Sequence, residues 1–537
     1  MKINSISIYI ASTLALLSTA NASYITNKKV IKAPITRINR PDPIISSIQK
    51  RNNLEKRDPF TASLYNDAGS QYLIEVNIGT PAQSFYVTLD TGSADLWVPG
   101  RLCSSTECPN GFFDASQSST FKSLNRTFSL TYGIGSVNGT YVTDTVSIAG
   151  ATVNKQQFGL ASSTQQILTN PNTITSSLAN TNTSSTSFQN IKSFASSVSE
   201  TPVANGILGM GYPKLTAASS KGQGAYNPFV FNLVSQKIIS DPVFSIYLNR
   251  VKEEGWAGEI IFGGVDPSKY KGNLTYLPVM SLASVTSKKR DGRSNNYYWM
   301  VGAQGISVTS TTNTTSIDTN NTTSSSSSTT TTANNNSSSP SNILDIEFSS
   351  VGAFILDTGT TLTYFPSTIA QQIVEAIAGP DGYTLEAGSS AYLVDCNTAK
   401  SQTQLELKMT PTTSRVTNPV TLSIPASQLV IPLNGATADD ASYCLFGIAP
   451  SSSTSTSSDS NNNLHLVGDS ILRSAYLVFD IGNNQIGLAA AVGVEGSVKG
   501  ISSTSFEQST SGGIGKLDQH PTIFALISCL FIIALAF

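Results

Sequence analysis

From Gln71 onward the chain is written in short runs of alternating apolar and polar residues separated by Gly, Pro and Asn. Tyr72 to Ile78 alternates, Gly79-Thr80-Pro81 turns it, and Ser84 to Leu89 forms a second run, the period of two that makes a half-buried strand. Comparable runs recur at Tyr141–Ile148, Val243–Leu248, Glu259–Phe262, Ala353–Leu356, Leu429–Ile431 and Ala475–Phe479. A helical period is clearest at Ser367–Ile377. The pattern predicts an all-β fold with few short helices.

Three segments interrupt it. Residues 161–200 and 309–342 are rich in Ser, Thr and Asn, and Ser451 to Asn463 is a smaller polar insertion. The stretch 309–342 carries too little apolar surface to offset the entropy of ordering and is expected to be disordered. Asn125, Asn138, Asn182, Asn273 and Asn313 open Asn-X-Ser/Thr sequons, as do Asn320, Asn321, Asn335 and Asn336. They are candidate N-glycosylation sites, several of them inside the polar insertions.

Both ends depart from the β pattern. After Met1-Lys2, an apolar run at Ile8–Leu17 leads to Ala20-Asn21-Ala22, which predicts a signal peptide over residues 1–22. Residues 23–57 are basic, contain Pro and lack strong periodicity, and the first strand-like segment follows them. They end in Lys56-Arg57 and read as a propeptide cut there by a processing protease, with Lys50-Arg51 as a competing site. At the other end Pro521 to Phe537 is apolar with no basic residue after it, and Ser511-Gly512-Gly513 plus a polar spacer precede it. That is the form of a GPI-attachment signal: a linker over 501–511, attachment at Ser511 and an exchanged tail over 512–537. A plain transmembrane anchor would usually carry Lys or Arg beyond the apolar run. The expected destination is the secretory pathway and then the cell surface, with a lipid anchor holding the protein to the membrane or its wall.

Composition narrows the chemistry. Charged residues make up 12% and the net charge is −2, so neither a nucleic-acid-binding stripe nor an acidic solvating tail is present. With two histidines, His465 and His520, the composition argues against a histidine metal site and nearly excludes a Ser-His-Asp arrangement; no metal and no cofactor is expected. At 537 residues the chain suits two packed lobes, over 58–248 and 249–500, with the 309–342 insertion in the second. Outside the tail four cysteines remain, Cys103, Cys108, Cys396 and Cys444, which allow three pairings. The local one, Cys103–Cys108 with Cys396–Cys444, gives each half one bridge. Lys288-Lys289-Arg290 reads as a solvated basic loop; cleavage there would turn a monomer into a two-chain form.

One motif occurs twice. Phe85 to Leu89 runs into Asp90-Thr91-Gly92-Ser93, and Ala353 to Leu356 runs into Asp357-Thr358-Gly359-Thr360. Downstream of each stands an apolar pair and a glycine: Ile207-Leu208-Gly209 and Leu466-Val467-Gly468. A single Asp-Thr-Gly is an ordinary turn. Two, each behind an apolar strand and each with its own partner segment, describe two copies of one β unit delivering one Asp apiece to a common axis. The strand carries the carboxylate to a semi-buried place, and Gly lets the backbone turn beside it. The Thr and Ser hydroxyls can fix the orientation of the acids. Two carboxylates about 3 Å apart share one proton, because both cannot ionise cheaply. The pair can then act as base on a bound water and as acid on a peptide carbonyl, with no metal and no covalent intermediate.

On these residues the chain resembles the pepsin family of aspartic proteases, from about Tyr72 to Val492. Asp95-Leu96-Trp97-Val98 stands where the family's pattern requires, and Leu130-Thr-Tyr132-Gly133-Ile134-Gly135-Ser136 resembles the flap that closes over substrate. Asn205 to Tyr212, Ile261 to Asp266 and Gly468 to Arg473 also fit, and the local cysteine pairing is similar to the family's. The resemblance implies a bilobal fold with pseudo-two-fold related lobes and endopeptidase activity on peptide and protein substrates. It assigns catalysis to Asp90 and Asp357, support of the pair to Thr91, Gly92, Ser93, Thr358, Gly359 and Thr360, and flap contacts to Tyr132, Gly133 and Ile134. Trp97 and Trp299 are expected to be packing residues. Propeptide, Ser/Thr-rich insertions and anchor signal resemble the fungal yapsin and candidapepsin groups, which implies processing of precursors or wall proteins and cleavage at basic residues. Two positions depart from the pattern: Ile134 stands where an acidic residue could meet a basic substrate side chain, and Asn205 replaces a common Asp.

Overall fold

The computed structural model describes residues 31–38, 71–133, 135–168, 203–248, 255–282, 296–310, 341–386, 391–433, 437–451 and 464–500. The signal peptide, Lys56-Arg57, Ile134, Asn182, Asn313, Lys288-Lys289-Arg290, Ser511 and the 501–511 and 512–537 segments lie outside the described residues.

The alternating runs fall in strands, several of them much longer than the run: Ala353–Leu356 ends Ser341–Leu356, Glu259–Phe262 ends Gly255–Phe262 and Tyr141–Ile148 ends Ser136–Ile148. Leu429 instead closes the short helix Ala426–Leu429, before the strand Val430–Pro432. β1 spans Ile31–Ile38, β2 Gln71–Ile78, β3 Gln83–Asp90 and β4 Leu96–Pro99; β5 spans Lys122–Thr131, β6 Ser136–Ile148, β7 Ala151–Gln165 and β8 Ile207–Gly209. β9 spans Val243–Tyr247, β10 Gly255–Phe262, β11 Tyr270–Pro278, β12 Met300–Ser310, β13 Ser341–Leu356 and β14 Thr363–Phe365. A thirteen-stranded sheet starts at β11 and passes through the late strands Gln485–Ala491 and Ala475–Asp480. It continues in the order β9, β10, β1, β2, β3, β8, β4, β7, β6 and β5. An eight-stranded sheet is built around β12 and β13, and a four-stranded sheet covers part of the second half. The expected helix is present as Ser367–Ala378, with Ala370, Ile373, Val374 and Ile377 buried. That spacing puts one apolar face against the core. No helix among the described residues is long and apolar enough to cross a membrane.

Three further departures from the sequence reading involve the leader and the polar segments. Ile31–Ile38 lies in the leader that shows no strong periodicity, yet it pairs with β10 on one side and β2 on the other. Backbone pairing on both edges outweighs weak local preference, since a strand inserted between two others satisfies every ladder it touches. β7 runs to Gln165, into the polar segment 161–200, because β6 pairs with it as far as Ser136↔Gln165. β12 and β13 extend into the edges of the 309–342 segment, with Thr309↔Asn342 and Ser310↔Ser341 still in register; residues 311–340 lie outside the described residues.

The two halves repeat one arrangement. β3 pairs in parallel with β8, setting Leu89 beside Leu208 and Asp90 beside Gly209. In the second half, β13 pairs in parallel with the strand Leu464–Val467, setting Leu356 beside Val467. Each partner strand is also met antiparallel by the strand that follows its Asp-Thr-Gly, β4 and β14 respectively. The two disulfides are Cys103–Cys108, five residues apart, and Cys396–Cys444, 48 residues apart, one in each half.

Candidate active site

Asp90 and Asp357 stand at the ends of β3 and β13, where each strand leaves its sheet for the Asp-Thr-Gly turn. Both are almost completely buried, and their carboxylates share a hydrogen bond. The turns hold them in the same way. Asp90 Oδ1 accepts from the Gly92 N–H (2.8 Å) and the Ser93 N–H (3.1 Å), and its Oδ2 accepts from the Ser93 hydroxyl (2.5 Å). Asp357 Oδ1 accepts from the Gly359 N–H (2.8 Å), and its Oδ2 accepts from the Thr360 hydroxyl (2.7 Å). Gly92 is required for a second reason: a Cβ there would collide with the Asp357 carboxylate. A larger residue would push the pair apart.

Thr91 and Thr358 lock the turns together beneath the acids. The Thr91 hydroxyl donates to the Leu356 carbonyl (2.7 Å), and the Thr358 hydroxyl donates to the Leu89 carbonyl (2.9 Å). From behind, the Met210 N–H donates to the Asp90 carbonyl (2.8 Å), and the Asp357 N–H donates to the Val467 carbonyl (2.9 Å).

Electrostatics follow from this placement. Burial pushes the Asp90 carboxyl well above the usual carboxylate range, the Asp357 charge adds to it, and the Ser93 and Gly92 donors oppose both. Burial also raises the Asp357 carboxyl, against the pull of the Thr360 hydroxyl and the Gly359 and Gly92 N–H groups. Two such groups in contact titrate as one unit, and one proton stays with the pair over a wide range of pH. A site holding one acid and one base in contact can activate a water and protonate the group it attacks.

A hairpin of β5 and β6 rises beside the pair. At its tip the Tyr132 N–H donates to the Gly135 carbonyl (2.7 Å), with Gly133 between them; Ile134 itself lies outside the described residues. The Tyr132 hydroxyl accepts from the Trp97 indole N–H (3.0 Å). Burial, then the charges of Asp90 and Asp95, keep the Tyr132 phenol neutral. Trp97 therefore both packs and aims the tyrosine. Trp299 is a packing residue, fully buried among Tyr212, Phe244 and Phe479, with its N–H on the Met210 carbonyl (3.0 Å).

The other anticipated residues lie elsewhere. Asn125, Asn138 and Asn273 are exposed, Asn138 on the hairpin strand β6. Asn205 is buried and donates to the Asn110 carbonyl (2.9 Å), so it ties a loop and does not face the acids. Sequence reasoning did not single out Asp95 for a role of its own. Its carboxylate lies five residues beyond Asp90, fully buried, and gathers hydrogen bonds from three distant segments.

The chain is similar to known proteins along most of its length. The eukaryotic aspartyl protease family profile matches residues 71–173 and 172–491. Mucorpepsin of Rhizomucor miehei is 30% identical over 431 residues, covering 80% of this chain and 80% of that protein. Cathepsin E of Rattus norvegicus is 30% identical over 436 residues, covering 80% and 82%. A probable aspartic-type endopeptidase of Aspergillus oryzae, opsB, is 28% identical over 474 residues, covering 86% and 76%. With the family profile spanning most of the chain and relatives of this name along most of its length, the chain belongs to the eukaryotic aspartyl protease family and is an aspartic-type endopeptidase.

Proposed function

We propose that Asp90 and Asp357 are the catalytic pair of this endopeptidase, acting together on a water that attacks the substrate's peptide carbonyl. One observation carries the reading: two buried carboxylates in hydrogen-bond contact, each set in an Asp-Thr-Gly turn at the end of a strand. One carboxylate takes a proton from the water while its protonated partner gives one to the carbonyl oxygen, so the pair ends each addition step with its proton exchanged. Thr91, Gly92, Ser93, Thr358, Gly359 and Thr360 hold the pair, and Tyr132 and Gly133, with Ile134, close over the substrate as a flap.

The finer reading is a secreted protease held at the cell surface. A signal peptide over 1–22, a propeptide over 23–57 removed at Lys56-Arg57, and GPI attachment at Ser511 support it. The yapsin-like combination of leader, insertions and anchor signal points to precursors or wall proteins as substrates and to cleavage at basic residues. The catalytic lobes take the ranges 58–248 and 249–500, and the protein acts as a monomer.

The test uses a soluble form ending near Ser511, processed at the dibasic site and offered a mixed peptide library from about pH 3 to about pH 7. Acid-favoured cleavage that vanishes in Asp357→Asn supports the pair, and the cut sites report whether Lys and Arg are preferred. A folded, processed enzyme whose cleavage survives Asp357→Asn overturns it.

A further inference from the structure

Six residues along the chain, Asp90 to Asp95, link the candidate pair to a third buried carboxylate with different partners. Asp95 Oδ1 accepts from the hydroxyl of Tyr141 (2.7 Å) and the hydroxyl of Tyr226 (2.8 Å), and its Oδ2 accepts from the Ala217 N–H (2.8 Å). Its own carbonyl accepts from the N–H of Gly209 (3.1 Å), the β8 residue that stands beside Asp90. The Asp95 side chain is thus held on all sides, by hydroxyls from two tyrosines and by the first residue of the short helix Ala217–Ser220.

Tyr141 is the partner that matters for the reaction. It sits on β6, the returning strand of the flap hairpin, opposite Arg126 of β5. Phe128 of β5 packs edge-on against its ring (5.2 Å between centroids), and the Arg126 guanidinium lies over that ring at 5.8 Å. Both strands of the hairpin therefore bear on Tyr141, and Tyr141 bears on Asp95. Two residues after Asp95, Trp97 holds Tyr132 at the hairpin tip. Tyr226 reaches the same carboxylate oxygen from outside the hairpin. Burial keeps both phenols neutral, with the Asp95 charge reinforcing it, so each stays a donor.

We propose that Asp95 is a positioning residue for the flap: through Tyr141 it fixes the base of the β5–β6 hairpin relative to the turn that carries Asp90, and so sets where Tyr132 stands over a bound substrate. Burial raises the Asp95 carboxyl, and the Ala217 N–H and the two tyrosine hydroxyls pull the other way, so the three donors hold the buried acceptor in one place. The strand after the turn and the hairpin are joined in the backbone through β7, with Trp97 beside Gly159 and Gly159 beside Tyr141, and the Asp95–Tyr141 bond adds a direct side-chain link across that ladder.

The inference rests on Asp90 and Asp357 being the catalytic pair, and loss of cleavage in Asp357→Asn checks that separately from everything below. The experiment compares kcat, KM and melting temperature for Tyr141→Phe, Tyr226→Phe, Asp95→Asn and the double variant Asp95→Asn/Tyr141→Phe. Each tyrosine variant removes one hydrogen bond to the same oxygen, but only Tyr141 is on the hairpin. Tyr141→Phe is expected to raise KM about tenfold, the loss of one buried hydrogen bond, with kcat within about threefold of the parent. Tyr226→Phe is expected to lower the melting temperature similarly while leaving KM within about threefold. Asp95→Asn should match Tyr141→Phe in KM, and the double variant should be no worse than Asp95→Asn, because both remove one link. Equal KM effects from the two tyrosines, or a Tyr141→Phe enzyme that melts lower yet keeps the parent's KM, would overturn the proposal. If Asp95→Asn does not fold, the comparison of the two tyrosines decides alone.

Discussion

Thr91 and Thr358 are bonded to each other's loops in a closed reciprocal set. Each hydroxyl donates to the strand of the other half, and each accepts the other's backbone N–H, at 3.2 Å for Thr91 N–H to Thr358 and 3.0 Å for Thr358 N–H to Thr91. The four bonds are buried, and they tie two segments more than 260 residues apart directly beneath the acids.

Thr91→Val keeps the shape of the side chain and removes its hydroxyl. The Thr358 N–H and the Leu356 carbonyl would then lose a buried partner, at about 1 to 3 kcal/mol each. A lower melting temperature and a reduced kcat are expected, while Thr91→Ser, which keeps the hydroxyl, should retain most of both. A valine variant with unchanged kcat would show that the loops do not need this link for catalysis.

The carboxyl pair sets a pH dependence of stability with a definite sign. Both acids are raised above their ordinary value by burial, so between the unfolded and folded values the native state holds more protons than the unfolded state. Stability contributed by the pair is therefore complete at acid pH and is lost as pH rises through the raised values. Asp357→Asn removes one of these acids. It is expected to lower activity by a factor of about a thousand or more and yet to melt higher than the parent near neutral pH, with the difference vanishing at acid pH. Thermal melts of both proteins across pH test this; a variant less stable at neutral pH would contradict the burial argument.

His465 works in the opposite direction. It is buried on the strand Leu464–Val467 against Phe348 (4.6 Å), Phe365 (5.1 Å) and Phe354 (5.8 Å), and neither ring nitrogen has a hydrogen-bond partner among the described residues. Burial pushes its imidazole down to about 3. The unfolded chain takes up that proton near pH 6.5 and the native state does not, so stability is full above that pH and falls as the solution becomes more acid. The cost reaches on the order of 4 kcal/mol near pH 3. His465→Phe should therefore raise the melting temperature more at pH 3 than at pH 7. An equal change at both would mean that His465 already carries its proton in the native state.

The leader strand β1 is paired on both edges, and Lys32 reaches the Asp266 carboxylate at 2.8 Å and that of Glu259 at 3.8 Å. The Lys32 contact holds the Asp266 carboxyl well below the usual range. Removing β1 leaves the facing edges of β10 and β2 without their ladder partner. A chain begun at Asp58 is expected to refold in lower yield than one begun at Ser23, and supplying the peptide 23–57 in trans should restore yield. Equal yields would mean that another segment fills the gap.

How far the sequence alone reached is clearest at the two Asp-Thr-Gly turns. Their chemistry is local: an apolar strand, an acid, a hydroxyl and a glycine must follow one another, so the acids, Ile207-Leu208-Gly209 and Leu466-Val467-Gly468 could all be read in order, as could a helix at Ser367–Ile377. The cysteines allowed three pairings, of which the local one favoured on the resemblance is the one formed. What the sequence could not determine depends on partners far along the chain. β1 has weak periodicity, and its strand state comes from β10 and β2; β7 persists to Gln165 because β6 lies beside it. His465 is one letter in an apolar run until three phenylalanines close around it. Asp95 carries no local mark of its partners, since Tyr141 and Tyr226 are 46 and 131 residues away. Local covalent order fixes the turn and its acid; only packing decides which distant side chains a buried carboxylate will meet.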